Sequence, residues 1–399
     1  MKSDIPALEG GTPVRSTSLP YATQWIGDEE IQEVVKVLQS PWITSGPIVE
    51  KFEKAFSESV GSLHAVAVSS GTAALHLSVR ALGIGAGDEV ITTPLTFAAT
   101  AFAILHNGAY PIFADVNEDT FNISPAEIEQ KITLKTRAVI PMHYAGNPCD
   151  MDEITKIAAE HKLFVIEDAA HAIGAAYQGK NIGAISDLTC FSLHAIKNIT
   201  SGEGGMIATD DEDLAKKIIS LRFFGITADA WKRAQSDRPW FYEIHDTGFK
   251  CNMMDLQAAI GLVQLRRLPE FQERRKKIVE TYDQAFASEE TIITPATTPG
   301  SVSSLHLYVI RLRSEMLRVD RDHILRALRA ENVNANIHYL PLHLHPYFRR
   351  TYNFKEGDFP TAEKIYQSII TLPLFPKMTD DDVQSVINAL LKIIKYYRK

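Results

Sequence analysis

A lysine, an aspartate and a turn of small residues are the parts of this chain best suited to chemistry. Lys197 closes the run Phe191-Ser192-Leu193-His194-Ala195-Ile196-Lys197, and Asn198-Ile199-Thr200-Ser201-Gly202-Glu203-Gly204-Gly205 follows at once. A strand-like stretch that runs into a lysine and then a glycine-rich turn holds an amine at the rim of a cleft. Attack on a carbonyl needs such a fixed approach. Most lysines are solvated surface charges, so the reading depends on partners. Asp168 ends the apolar run Leu163-Phe164-Val165-Ile166-Glu167 and precedes Ala169-Ala170-His171. A carboxylate there is partly desolvated and stays charged only beside a cation. The plainer alternative is a helix N-cap. Ala169 and Ala170 leave room for something flat beside the carboxylate. The third part is Ser69-Ser70-Gly71-Thr72-Ala73-Ala74-Leu75. Free N–H groups at a helix start, with the helix dipole behind them, suit a phosphate, and Ser70 and Thr72 add hydroxyls. Ordinary capping by Ser70 is the alternative. The turn lacks the GxGxxG order of a dinucleotide site.

These residues need elements to position them. Short apolar runs at 64–68, 89–93, 110–115, 138–142 and 163–168 read as strands. Amphipathic stretches at 28–38, 48–60, 71–82, 97–107 and 151–161 read as helices. Continuous apolar strands between helices predict a mostly parallel sheet covered on both faces. In such sheets the ligand crevice lies beyond the carboxyl ends of the strands. From Leu256 the pattern changes: a long helix to Phe286, a strand at 305–312, a helix at 322–331, a strand at 335–339 and a last helix at 380–397. The expected division is a large unit, 1–255, with an N-terminal arm, and a smaller α+β unit, 256–399.

Composition narrows the classes. The chain has 399 residues, 45% of them hydrophobic and 23% charged, with formal net charge −8. Those fractions belong to a globular protein with a sizeable core. No basic block points to nucleic acid, and no polybasic amphipathic stretch to a membrane surface. The N-terminus lacks the apolar core of a signal peptide, and no apolar run approaches the ~20 residues needed to cross a bilayer. Cys149, Cys190 and Cys251 are widely spaced and form no CxxC. Together these predict a cytoplasmic protein in a reducing compartment, without a disulfide framework.

One cofactor would use all three parts. Pyridoxal phosphate (PLP) needs a lysine for its aldehyde, an acid to keep its ring nitrogen protonated and a cradle for its phosphate. The motifs Ser-Ser-Gly-Thr-Ala-Ala-Leu, Glu-Asp-Ala-Ala-His and Phe-Ser-Leu-His-Ala-Ile-Lys-Asn-Ile-Thr-Ser-Gly-Glu-Gly-Gly resemble the signature set of the PLP-dependent nucleotide-sugar aminotransferases, the DegT/StrS group. The resemblance spans nearly the whole chain. It starts at Trp42-Ile43-Thr44-Ser45-Gly46-Pro47, continues through Gly248-Phe249-Lys250-Cys251-Asn252-Met253-Met254-Asp255 and ends near Asn336-Ile337-His338-Tyr339. The lysine motif is most similar to that of enzymes aminating C4 of UDP-linked 4-keto sugars.

The resemblance implies an α/β protein of the aspartate aminotransferase-like fold, with a mostly parallel seven-stranded sheet, helices on both faces and a smaller C-terminal α+β domain. It implies that Lys197 holds the cofactor covalently and later moves a proton. Asp168 would pair with the ring nitrogen. Gly71, Thr72 and Ser192 would bind the phosphate, joined by Asn252 from the other subunit of a homodimer. His171 would lie near the phenolate oxygen and Phe97 on the ring face, where relatives often carry Trp or Tyr. Thr44, His338 and Tyr339 would contact substrate, and Arg222, Trp231 and the Trp240 region would cover the cleft. The implied reaction is a ping-pong transamination from glutamate to a nucleotide-linked keto sugar.

Alternatives from the same residues are a dehydratase or a C3 aminotransferase on this scaffold, and a cofactor-sensing regulator. Lysine in place of histidine in the motif disfavours the dehydratase branch. His338, His343 and His345 invite a metal reading. Prolines interrupt their spacing and no Cys or acid completes a ligand set nearby, so no metal is expected.

Overall fold

The computed structural model describes residues 4–226 and 230–399. Its centre is a seven-stranded sheet. The strands are β1 (His64–Val68), β2 (Glu89–Thr92), β3 (Tyr110–Phe113), β4 (Thr136–Ile140), β5 (Phe164–Asp168), β6 (Leu188–Ser192) and β7 (Gly205–Thr209), in the spatial order β1-β7-β6-β5-β4-β2-β3. Strands β3, β2, β4, β5 and β6 pair in parallel, and β7 runs antiparallel to both β6 and β1. The reversed β7 brings its first residue, Gly205, opposite both Val68 and Ser192. The start of β7 therefore meets the ends of β1 and β6 at one edge of the crevice.

Alternation along each strand explains the two-sided cover. On β1, Val66 and Val68 pack with Leu75, Leu77, Ile218 and Leu221, while Ala67 packs with Phe52 and Phe56 on the opposite face. On β5, Val165 and Ile166 divide in the same way. Helices α1 (Asp28–Gln39) and α2 (Pro47–Val60) precede β1, and α3 (Gly71–Ala81) follows it. Further along lie α4 (Ala98–His106), α5 (Pro125–Lys131), α6 (Met151–His161) and α7 (Glu212–Leu221). Ser124, Asp150 and Asp211 cap α5, α6 and α7 with their side chains, each cap adding ~1 kcal/mol.

The long helix, Asp255–Phe286, links this sheet to the C-terminal elements. It presses on α2 so closely that a Cβ on Gly261 would lie 2.6 Å from the Phe52 ring. Beyond it, Ile292–Ile293, Tyr308–Leu312 and Ile369–Leu372 form an antiparallel sheet, covered by Arg321–Ala330 and Asp380–Tyr397.

Two segments differ from the sequence expectation. The stretch 335–339 is not a strand: only Asn336 pairs, in an isolated bridge to Thr371. Its His338 and Tyr339 line the cleft instead, and the His338 carbonyl accepts from Tyr144 OH. The N-terminal arm packs on the C-terminal unit, not on the large sheet. Leu19 joins that unit's core and bridges Val333, and Glu331 accepts the N–H groups of Ala7 and Val14. A buried carboxylate such as Glu331 needs donors, and both ends of the chain supply them, since Lys392 also pairs with it.

Candidate active site

A cleft of about 370 Å³ opens at the carboxyl ends of β1, β5 and β6. Its lining includes Ser70, Gly71, Thr72, Phe97, Asp168, His171, Ser192, Lys197, His338 and Tyr339. Residues distant in sequence thus converge where an open α/β sheet places its ligands.

The lysine sits in a tightly closed loop. Leu193 N–H donates to Gly204 O at 2.9 Å, Ser201 N–H donates to Leu193 O at 3.0 Å, and Lys197 N–H donates to His194 O at 2.9 Å. Asn198 ties the loop to the C-terminal unit: its amide donates to Ser304 O at 2.6 Å and its Oδ1 meets His306 Nδ1 at 2.9 Å. Burial pulls the Lys197 amine down to about 8 from its ordinary 10.5, against the opposing pull of the Asp168 charge. A larger neutral fraction makes it a better nucleophile near neutral pH.

Asp168 ends β5 and is only 4% exposed. Its Oδ2 accepts from Thr100 Oγ1 at 2.7 Å and its Oδ1 from Ala170 N–H at 3.2 Å. Burial raises its pKa despite these bonds and the Lys197 charge. Its hydrogen-bond donors are neutral, so a cation placed beside it would be strongly held.

The start of α3 is held by a side-chain cap and two close glycine contacts. Ser70 caps α3, its side chain accepting from Ala73 N–H at 3.0 Å. The capping reading thus holds, and it leaves the other first-turn N–H groups without an acceptor within the helix. A Cβ on Gly71 would lie 2.9 Å from Ser192 Cβ, and one on Gly205 would lie 2.3 Å from Ser70 O. Only glycine lets α3, β6 and β7 meet here.

Phe97 stands before α4 and is 61% exposed, so core packing does not account for it. Its ring lies 6.1 Å from that of Tyr339. His171 Nε2 meets Tyr339 OH at 3.1 Å, and its ring lies 4.4 Å from His306. His171 Nδ1 is buried without a partner among the described residues. Burial holds His171 and His306 well below the usual imidazole range and takes His338 down to about 4, with the Lys197 charge adding to each effect. His338 Nδ1 meets Thr371 Oγ1 at 2.9 Å, and its carbonyl accepts from Tyr144 OH.

Thr44 and Asn252 do not line this cleft. Asn252 pairs with Val68 at the end of β1, beside the cleft, and its Nδ2 donates to Ser45 Oγ at 2.6 Å, while Asp255 N–H donates to Thr44 O at 3.0 Å. Arg222 is not a cover for the cleft. It is buried, with Nη1 donating to Ala67 O at 2.8 Å and pairing with Glu53. Trp231 packs against Trp42 at 5.2 Å, and Trp240 is exposed. His343 is buried against Glu363 at 2.8 Å, a structural pair.

Sequence reasoning missed Tyr21, Thr96 and Thr100, which reach the cleft or Asp168, and His306, which reaches the lysine loop. It also missed Arg275, fully buried on the long helix. Arg275 Nη1 donates to the carbonyls of Leu305, His306 and Leu374, and burial lowers its pKa to about 9. None of these carries a local motif.

Residues 24–391 match the model of the DegT/DnrJ/EryC1/StrS aminotransferase family. The chain belongs to this family. An uncharacterized protein of Methanocaldococcus jannaschii is 49% identical over 385 residues, 96% of this chain and all of that one. The spore coat polysaccharide biosynthesis protein SpsC of Bacillus subtilis is 48% identical over 382 residues, 96% of this chain and 98% of that one. Among solved structures, Spr1654 from Streptococcus pneumoniae, assigned as a sugar aminotransferase and determined in its PMP form, superposes with TM-score 0.90 at 35% identity, covering 95% of this chain and 99% of that one. The protein is a PLP-dependent sugar aminotransferase with the fold of the type I PLP enzymes.

The cleft fits that cofactor on its own chemistry. A buried carboxylate with neutral donors, a partly neutralised amine, an unpartnered buried imidazole nitrogen and a capped helix start all face one space.

Proposed function

We propose that this enzyme moves the amino group of glutamate to C4 of a UDP-linked 4-keto sugar, in two half-reactions at one cleft. The carrying observation is that Lys197 and the buried Asp168 line one cleft with the start of α3. Glutamate leaves as 2-oxoglutarate, and the keto sugar then takes the amine.

Lys197 would hold the cofactor covalently. When free, its Nζ would take the proton from the substrate carbon and give it back, as a guided general base and acid. When bound, PLP supplies a protonated ring that draws off the electron pair left on that carbon. Asp168 would keep the ring nitrogen protonated through a charge contact in a water-poor site. Gly71, Thr72 and Ser192 would hold the phosphate, and Phe97 would cover the ring face. His171, whose Nδ1 is otherwise unpartnered, would donate to the phenolate oxygen. His338 and Tyr339 meet the substrate at the cleft wall.

Asn252 and Thr44 serve the cleft of a partner subunit in a homodimer. Neither residue lines the cleft of its own chain, which supports this reading. A nucleotide-linked substrate is supported by DesI, a structural relative at 30% identity and TM-score 0.86, determined in the presence of its TDP-sugar product. The test is a panel of UDP- and dTDP-linked 3- and 4-keto sugars with glutamate. The expected result is 2-oxoglutarate in step with a 4-amino UDP-sugar. An amine at C3, or a dTDP-sugar turned over in preference, would replace the substrate assignment.

A further inference from the structure

Two hydroxyl groups stand in line behind Asp168. Thr100, on α4, places its Oγ1 2.7 Å from Asp168 Oδ2, and Thr96 Oγ1 lies 2.8 Å from Thr100 Oγ1. All three residues are buried. A threonine hydroxyl has one proton. Thr100 spends its proton on the carboxylate, so Thr96 donates to Thr100, and both dipoles point at Asp168. Thr96 immediately precedes Phe97 and lines the same cleft. The chain therefore fixes the carboxylate to the turn that carries the exposed ring.

We propose that Thr100, supported by Thr96, is a positioning residue that orients Asp168 and lowers its basicity toward the cofactor ring. This deepens the reading of Asp168 given above and rests on it. The physical reason is competition for a proton. A carboxylate that accepts a strong hydrogen bond holds its charge more readily, even where burial opposes it. A proton between Asp168 and the ring nitrogen then stays on the ring, where it makes the ring an electron sink. Without the Thr100 hydroxyl the carboxylate becomes more basic, can rotate, and draws the proton toward itself. The second oxygen cannot compensate, because its bond to Ala170 N–H is the longer one, at 3.2 Å.

The test compares Thr100→Val, Thr100→Ser and Asp168→Asn as PLP-loaded enzymes in the glutamate half-reaction. Valine keeps the shape and removes the hydroxyl, whereas serine keeps it. Thr100→Val should slow the maximal rate by about 10- to 100-fold, the scale of one lost hydrogen bond to a charged group. The concentration of glutamate giving half that rate should stay nearly unchanged. The visible absorption band of the loaded enzyme should move in the direction seen with Asp168→Asn, and Thr100→Ser should restore both rate and band. A merely structural threonine would lower the unfolding temperature and leave the band in place. An unmoved band in Thr100→Val, with Asp168→Asn strongly impaired, overturns the proposal. If Asp168→Asn is itself unimpaired, the assignment of Asp168 fails, and this proposal with it.

Discussion

Lys197 has the most direct residue-scale consequence. Burial depresses its pKa to about 8 from 10.5. Capture of PLP by the apo-enzyme should therefore speed up with pH and level off just above 8, whereas an ordinary lysine would keep gaining to beyond 10. The linked effect on stability follows in sign. A lysine whose folded pKa is lowered destabilises the apo-protein below about 8, where it is charged in both states. That cost fades as pH rises from 8 toward 10.5. Stopped-flow absorbance against pH checks the first statement, and apo-enzyme melting against pH the second. Asp168→Asn should cut turnover ~10²-fold, the scale of a lost charge interaction in a water-poor site. Its folding should change little, because Asn keeps the shape, its Oδ1 can still accept from Ala170 N–H, and the Thr100 hydroxyl can turn to accept from the Asn Nδ2. Near-normal rates in the glutamate half-reaction would remove Asp168 from the reaction. At this scale much of the site was legible in sequence, because Lys197, Asp168 and Gly71 each sit in a local strand-to-turn pattern. Thr100 and His306 were not. Their partners, Asp168 and Asn198, are 68 and 108 residues away. Only the folded chain brings them together.

Elements that converge on the cleft do so through glycines. A Cβ on Gly205 would sit 2.3 Å from the backbone oxygen of Ser70, which cannot swing away as a side chain would. Gly205→Ala should destabilise the protein by about 1–3 kcal/mol, the usual cost of overpacking. It should also weaken PLP affinity by shifting the start of α3. Equilibrium unfolding and cofactor titration measure the two effects; unchanged affinity would separate α3 from the phosphate. His343 offers a contrast. It is buried against Glu363, whose carboxylate also accepts from Gly357 N–H. His343→Ala should lower the melting temperature of the protein while half-reaction rates remain near normal, and chelators should alter neither. The periodicity that located 151–161 and 380–397 as helices is a burial pattern, and the structure places helices over those spans. The stretch 335–339 misled for the same reason. Its apolar and aromatic residues are partly buried against two side-chain clusters, Ala335 on the C-terminal core and Ile337 and Tyr339 on the cluster around Tyr144, not by a strand ladder.

At the scale of the whole molecule, the cleft of one chain lacks Thr44 and Asn252, and the proposed homodimer supplies them across the subunit boundary. Mixing Lys197→Ala with Asn252→Ala subunits tests this. If Asn252 acts in the partner's cleft, each hybrid carries one doubly damaged site and one intact site, and activity returns on mixing. If it acts in its own cleft, every hybrid site is damaged and activity stays lost. The N-terminal arm shows why unit boundaries were harder to read than elements. Its attachment to Glu331 and Val333 depends on where the chain ends meet in space, which no local pattern encodes. All of these readings depend on one amine. The most direct measurement is borohydride reduction of the PLP-loaded enzyme, followed by intact mass and peptide mapping. The account predicts one cofactor per chain, fixed to Lys197, and loss of the label in Lys197→Ala. A label carried by any other lysine would contradict it.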